Sequence, residues 1–222
     1  MSVIDSSYRI EQISAVPEIY HIDTSHNDGA VHRNLARKLV KQEELEALGT
    51  FHRARGDKIV FLSGTMDMIH IGHGRFMDLG RNLGDMLVVG VNTDVSVKAY
   101  KDPTRPFLGE LKRAEMLAYL TCVDYMSFYD ETTADGLIRL LKPDYYLCAE
   151  GTWPEGTELK DKPEVVAMAE HGGKIFVSPR QDPELSTSAI FQRIKGFGVE
   201  EATRRIIEIL NSQQVQSVKT PL

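Results

Sequence analysis

His70 and His73, with a glycine between them, are the side chains of this sequence best placed to do chemistry. They lie in Ser63-Gly64-Thr65-Met66-Asp67-Met68-Ile69-His70-Ile71-Gly72-His73-Gly74, behind an apolar run and ahead of a helical pattern. Imidazoles three residues apart at a helix entry project from one side of its first turn. The free backbone N–H groups and the positive dipole end there already favour phosphate. Two imidazoles added at that point suit charge developing on a phosphorus centre. Gly64 permits a turn close to a ligand. Gly72, lacking Cβ, lets a bulky group approach the backbone between the imidazoles. Zinc is a poorer reading, because it needs three protein ligands. Asp67 is the one nearby third candidate, and no second Cys/His pair exists.

The surrounding pattern says what must hold these groups. Apolar runs rich in Val, Ile, Tyr and Phe recur at 59–62, 86–91, 123–128, 145–148 and 175–177, with amphipathic helical segments at 74–83, 110–120, 133–141 and 162–170 between them. Continuous apolar strands alternating with such helices imply βαβ units, a parallel sheet covered on both faces and right-handed crossovers. These sheets bind ligands beyond the carboxyl ends of their strands. Before residue 57 the pattern differs. Residues 31–49 read as one helix, with Leu35, Leu39, Val40, Leu45 and Leu48 on a stripe that packs on the main domain or on a second subunit. The expected division is an extension over 1–56, a catalytic domain over 57–198, and a helix and tail over 199–222. Removing residues 1–50 is expected to leave the catalytic fold assembled.

Composition excludes several classes. The 222 residues carry 26 Lys plus Arg against 32 Asp plus Glu, a formal charge of −6, which argues against a general electrostatic grip on nucleic acid. No apolar run approaches a membrane span, and the start MSVIDSSYRIEQ lacks a secretory pattern. The two cysteines, Cys122 and Cys148, sit in apolar segments, so a disulfide framework is not expected and a cytoplasmic location is.

The stretch GTMDMIHIGHGRFMDLGRNLGDMLVVGVNTD resembles the opening of the H-x-G-H nucleotidyltransferases. Within them it is most similar to bacterial heptose 1-phosphate adenylyltransferase domains and glycerol-3-phosphate cytidylyltransferase. The likeness continues through Val97-Lys98-Ala99-Tyr100-Lys101, Arg105-Pro106, Lys112-Arg113, Lys142-Pro143-Asp144 and Leu185-Ser186-Thr187-Ser188-Ala189-Ile190. It implies an α/β fold with a Rossmann-like parallel five-stranded sheet and helices on both faces; the mostly helical N-terminal extension, expected from pattern alone, has no counterpart in it. It also implies transfer of a nucleotidyl group from an NTP, with Mg²⁺, to a phosphorylated small molecule, with release of pyrophosphate.

The resemblance assigns His70, His73 and Lys98 to catalysis. With Arg113, Ser186, Thr187 and Ser188, which the resemblance places around the nucleotide, are expected Ser63, Gly64, Thr65, Asp67, Gly72, Glu150 and Arg180, and around the acceptor Asp94, Lys101 and Arg105. No residue is assigned to a metal. The residues also admit plainer readings: Ser186 as a helix cap, Lys98 as a solvated lysine, Lys101 and Arg105 as a solvated face. Trp153 either stacks on a base or covers the sheet end. The sequence departs from the family at Met66, at Pro183, and over Glu150 to Trp153, where base recognition would lie. ATP with a heptose 1-phosphate-like acceptor is the expected pair, and CTP with glycerol 3-phosphate the alternative. A class I aminoacyl-tRNA synthetase is disfavoured by the missing lysine-rich K-M-S-K-S counterpart, and a non-catalytic nucleotide-binding protein by the co-occurrence of both histidines, Lys98 and Ser-Thr-Ser. A homo-oligomer, most simply a dimer, is expected; nucleic-acid and membrane partners are not.

Overall fold

Five runs form strands; the central ones are apolar on both faces and covered from both sides, while the last, over 174–178, is an edge left largely exposed. They are β1 (Ile59–Gly64), β2 (Met86–Asn92), β3 (Tyr125–Tyr129), β4 (Tyr145–Ala149) and β5 (Lys174–Ser178). All pair in parallel, in the order β3-β2-β1-β4-β5. The helices are α1 (Asp28–Lys38), α2 (Leu45–Ala54), α3 (Ile71–Leu83), α4 (Asp94–Tyr100), α5 (Glu110–Ala118), α6 (Asp135–Leu141), α7 (Pro163–Glu170) and α8 (Thr187–Ser217). The computed structural model describes residues 28–101, 104–153, 158–182 and 184–217. The first 27 residues of the expected extension, Pro183 and the last five of the tail lie outside the described residues.

Strand order fixes where the site is. From β1 the chain moves through α3 to β2 on one side, and β4 leads through α7 to β5 on the other. The β1/β4 boundary is therefore the switch point, where the carboxyl ends leave a crevice. One face of the sheet packs Val60, Leu62, Leu87 and Val89 against Met77, Ala114 and Leu117. The other packs Ile59, Phe61 and Val88 against Leu137, Ile138, Leu141, Ala167 and Met168. Together they give the α/β, Rossmann-like sheet expected from the sequence.

The described part of the N-terminal segment does not stand apart. Leu35 joins the first cluster at 6% exposure, and Leu45 the second at 0%. The single helix expected over 31–49 is broken. Leu39 leaves it to bridge Met126, the Val40 N–H donates to the Met126 carbonyl at 2.8 Å, and Gln42 Nε2 donates to the Phe128 carbonyl at 2.9 Å. Those bonds cover the open edge of β3, which explains why a continuous amphipathic stripe is interrupted. Gly49 lies so close to the Leu141 carbonyl that a Cβ there would collide with it, and Arg53 donates to the same oxygen at 2.6 Å. α2 is thus seated on α6. At the other end, α8 runs through residue 198 without a break, about 46 Å at 1.5 Å per residue.

Removing residues 1–54 should abolish the cooperative unfolding transition, because it strips both clusters of an apolar side chain and opens the β3 edge. In the intact chain, Leu45→Ala should cost about 2 to 5 kcal/mol in urea denaturation. A truncated protein that stayed monodisperse and melted sharply would overturn this account.

Candidate active site

The loop after β1 is shaped by two residues in left-handed conformation, Met66 (φ 54°) and Met68 (φ 49°), which is uncommon outside glycine and frequent at functional turns. Between them Asp67 points inward and is 2% exposed. Its carboxylate accepts from the Phe107 N–H at 2.9 Å and the Leu108 N–H at 3.1 Å, and pairs with Arg105 Nε at 3.3 Å. Its carbonyl accepts from Thr187 Oγ1 at 2.9 Å. One residue therefore holds the 105–108 loop and the start of α8 against β1.

Behind it lies Arg113, fully buried at the first turns of α5. Nε donates to the Leu108 carbonyl at 2.9 Å, one terminal nitrogen to Thr65 O, and the other to Asn92 O at 2.7 Å and Asp94 Oδ1 at 2.8 Å. The guanidinium fastens the ends of β1 and β2 and the incoming loop to one point. A polar chain continues outward: Thr65 Oγ1 and the Tyr100 hydroxyl are 2.8 Å apart, and Tyr100 reaches Asn92 Oδ1 at 3.2 Å.

These ties frame a cleft of about 670 Å³ over the strand ends, entered by the N-termini of both α3 and α8. His70 is the N-cap of α3, and the two imidazole centroids are 4.0 Å apart. His73 Nδ1 faces the His70 backbone N–H at 3.4 Å, an arrangement that leaves the ring proton on Nε2. Burial first, then neighbouring His70 and Lys101, pull the His73 pKa down to about 4. Burial also lowers that of His70, against the opposing charge of Asp182. Both rings are thus neutral donors at pH 7. Gly72 sits beneath the His70 ring, and a Cβ there would come within 3.1 Å of it and 3.5 Å of the Asp182 Cβ. The group approaching the backbone at Gly72 is therefore His70 itself.

Ser186 Oγ accepts from the Ala189 N–H at 3.0 Å, capping α8. With Thr187 committed to Asp67, Ser188 is the member of the trio whose hydroxyl makes no hydrogen bond among the described residues. Arg105 lies flat, 4.4 Å from the Phe107 ring centroid, and Lys101 stands at the rim, its pKa lowered by burial and by Arg105.

A family model described as cytidylyltransferase-like matches residues 61–193, which contain every group just named. The chain belongs to the cytidylyltransferase-like family. It is 33% identical over 170 residues to the bifunctional protein HldE of Trichlorobacter lovleyi, covering 77% of this chain and 34% of that protein. To HldE of Geobacter metallireducens it is 34% identical over 172 residues, covering 78% and 34%. The chain thus spans about a third of the length of these curated relatives. Among solved structures, a lipopolysaccharide core biosynthesis protein from Thermoplasma volcanium aligns at 22% identity and a TM-score of 0.45, over 56% of this chain and 97% of that one.

The cytidylyltransferase-like cleft gathers Ser63, Gly64, Thr65, Asp67, His70, Gly72, His73, Lys101, Arg105, Arg180, Ser186, Thr187 and Ser188. Four expected residues lie outside its lining. Lys98 is exposed on α4, which turns it away, whereas Lys101 at the end of that helix lines the wall. Arg113 is beneath the floor, its donors bound to carbonyls and to Asp94, and that pairing also withdraws Asp94 from the acceptor. Glu150 is exposed, its N–H donating to the Ser178 carbonyl at 2.7 Å. The sequence reading passed over Asn92, Tyr100, Tyr129, Tyr146, Glu164, Gln181 and Asp182, all of which line the cleft. Asn92 and Tyr129 end β2 and β3, and Gln181 lies just beyond β5, the one signal that pointed to them. Among the described residues no cluster of three His, Cys, Asp or Glu side chains forms a metal cage, and no helix is long and apolar enough to cross a membrane.

Arg113→Met should cost about 3 to 5 kcal/mol, because Asp94 and three carbonyls lose a buried charged partner. Denaturant titration checks it, and a loss under 1 kcal/mol would remove Arg113 from its central place. Acid should also destabilise the fold through His73. The unfolded chain binds that proton below about pH 6.5, the folded chain only below about 4, so stability falls as pH drops through this window. His73→Gln should flatten the pH dependence of the urea midpoint between pH 6.5 and 4; an unchanged slope would refute the assignment.

Proposed function

We propose that this protein is a nucleotidyltransferase that moves a nucleoside monophosphate from an NTP, with ATP preferred, onto a phosphorylated sugar of the heptose 1-phosphate kind. The observation that carries the reading is the convergence of two helix N-termini and two neutral imidazoles on one cleft at the β1/β4 switch point. A triphosphate there meets unpaired backbone N–H groups and ring donors together.

In this reaction an oxygen of the acceptor's phosphate monoester attacks the α-phosphorus, the α–β bridging bond breaks, and pyrophosphate leaves. The nucleophile has a second pKa of about 6 and is already mostly dianionic at pH 7, so no general base is needed. The protein must align the attack and stabilise charge on the equatorial and leaving oxygens. His73, its proton held on Nε2, and His70 supply the donors. The first turn of α8, with the Ser188 hydroxyl, receives the β- and γ-phosphates. Lys101 and Arg105 receive the acceptor's phosphate at the rim. Mg²⁺ enters as part of the substrate, carried on the nucleotide. The preference for ATP rests on the resemblance of the run from Val91 through Arg105-Pro106 to heptose 1-phosphate adenylyltransferases. Two copies of the chain acting as a dimer in the cytoplasm complete the proposal.

The test is pyrophosphate release for four NTPs with heptose 1-phosphate or glycerol 3-phosphate. ATP with the heptose phosphate should give the highest kcat/KM; CTP with glycerol 3-phosphate would move the enzyme to the cytidylyltransferases. His73→Ala should lower kcat at least a hundredfold with the circular dichroism spectrum intact, the loss of about 3 to 4 kcal/mol expected for one transition-state donor. Near-normal turnover in that variant would sink the mechanism.

A further inference from the structure

The cleft has two chemically different ends. Opposite the imidazoles, on the α6–α7 face of the sheet, Ser63, Tyr129, Thr133, Tyr146, Trp153 and Glu164 line a second lobe. Ser63 Oγ and the Tyr146 hydroxyl are 3.2 Å apart, and the Trp153 ring stands 6.5 Å from that of Tyr146, inclined at 59°. Burial holds the Tyr129 and Tyr146 phenols well above their ordinary pKa, so both stay protonated donors.

Glu164 is the unusual member. It is 9% exposed, yet among the described residues its carboxylate accepts one hydrogen bond, from the Ala134 N–H at 3.3 Å, and has no ion-pair partner. Lys162 lines the same lobe without pairing with it. That single bond caps α6, whose N-cap residue Ala134 has no side chain able to do so. A carboxyl group this buried and this thinly bonded has acceptor capacity left unused. It repels phosphate and calls for O–H or N–H donors. The phenols, Ser63 and Thr133 offer donors and acceptors pointing from several directions, and Trp153 adds a flat apolar wall. We infer that this lobe is the subsite for the neutral, polyhydroxylated body of the acceptor, with Glu164 and Tyr146 as its specificity-determining side chains.

This inference rests on the proposed reaction, in which the acceptor brings a phosphate to the imidazole end and a hydroxylated body that needs a place of its own in the cleft. A site built to hydrogen-bond hydroxyls rejects an analogue lacking them strongly. The experiment uses the full chain, ATP, and two probes: heptose 1-phosphate, and propyl phosphate, a monoester without hydroxyls. Glu164→Gln preserves shape and the cap acceptor. It should raise KM for heptose 1-phosphate at least tenfold while leaving KM for ATP within twofold and the melting temperature unchanged. Tyr146→Phe should act in the same direction, and neither variant should alter turnover of propyl phosphate. A rise in KM for ATP would make the lobe a nucleoside site and overturn the inference, as would equal effects on both phosphates or none. If Glu164→Gln fails to fold, Tyr146→Phe decides alone. If no NTP and acceptor release pyrophosphate, the proposed reaction fails, and the lobe is judged on the emission of Trp153, the only tryptophan in the chain. A saturable change with heptose 1-phosphate that propyl phosphate does not produce and Glu164→Gln weakens would support it. The absence of any saturable change would overturn it.

Discussion

A guanidinium with no access to water organises the catalytic end of this protein. Buried Arg113 is stable only because three backbone carbonyls and Asp94 replace its hydration, and those carbonyls belong to the ends of β1 and β2 and to the loop ahead of α5. The requirement runs both ways. The arginine needs the carbonyls at fixed positions, and the loop after β1 needs an anchor to hold two left-handed methionines. Asp67 extends the anchor to the 105–108 loop and to Thr187, so both walls of the cleft refer to one buried centre.

On that frame the electrostatics follow from burial. Helix N-termini and neutral imidazoles, flanked by Lys101 and Arg105, make one end of the cleft a field of donors suited to an anion. Protonated histidines would bind a triphosphate more tightly, but with little distinction between ground and transition states. The other end, with Glu164 and the phenols, has the opposite preference. Polarity along one cavity thus orients a two-ended molecule.

The strands, the helices between them and the histidine pair could be read from the sequence because each depends on local pattern: continuous apolar runs, amphipathic periods, and two imidazoles at a strand–helix junction. What escaped depends on long-range partners. Arg113 was placed beside the nucleotide by resemblance, and only the folded chain brings three carbonyls around it. Lys98 and Lys101 are three apart, and which one faces the cleft depends on how α4, absent from the sequence reading, leaves β2. The stripe over 31–49 was real, but pairing with Met126 divided it. Glu164 carries no motif, and its meaning comes from burial beside Tyr146.

The grip of Asp67 on the 105–108 loop is addressed to main-chain amides. Amides are common to every residue but proline, so the loop's path is indifferent to most side chains at positions 107 and 108. Shape and composition are thereby uncoupled in this segment, which reaches the cleft wall through Arg105. Descendants of such a chain can exchange those side chains without rebuilding the frame that Asp67 and Arg113 hold. Asp67 and Arg113 are the two letters that must stay fixed while the text between them is revised.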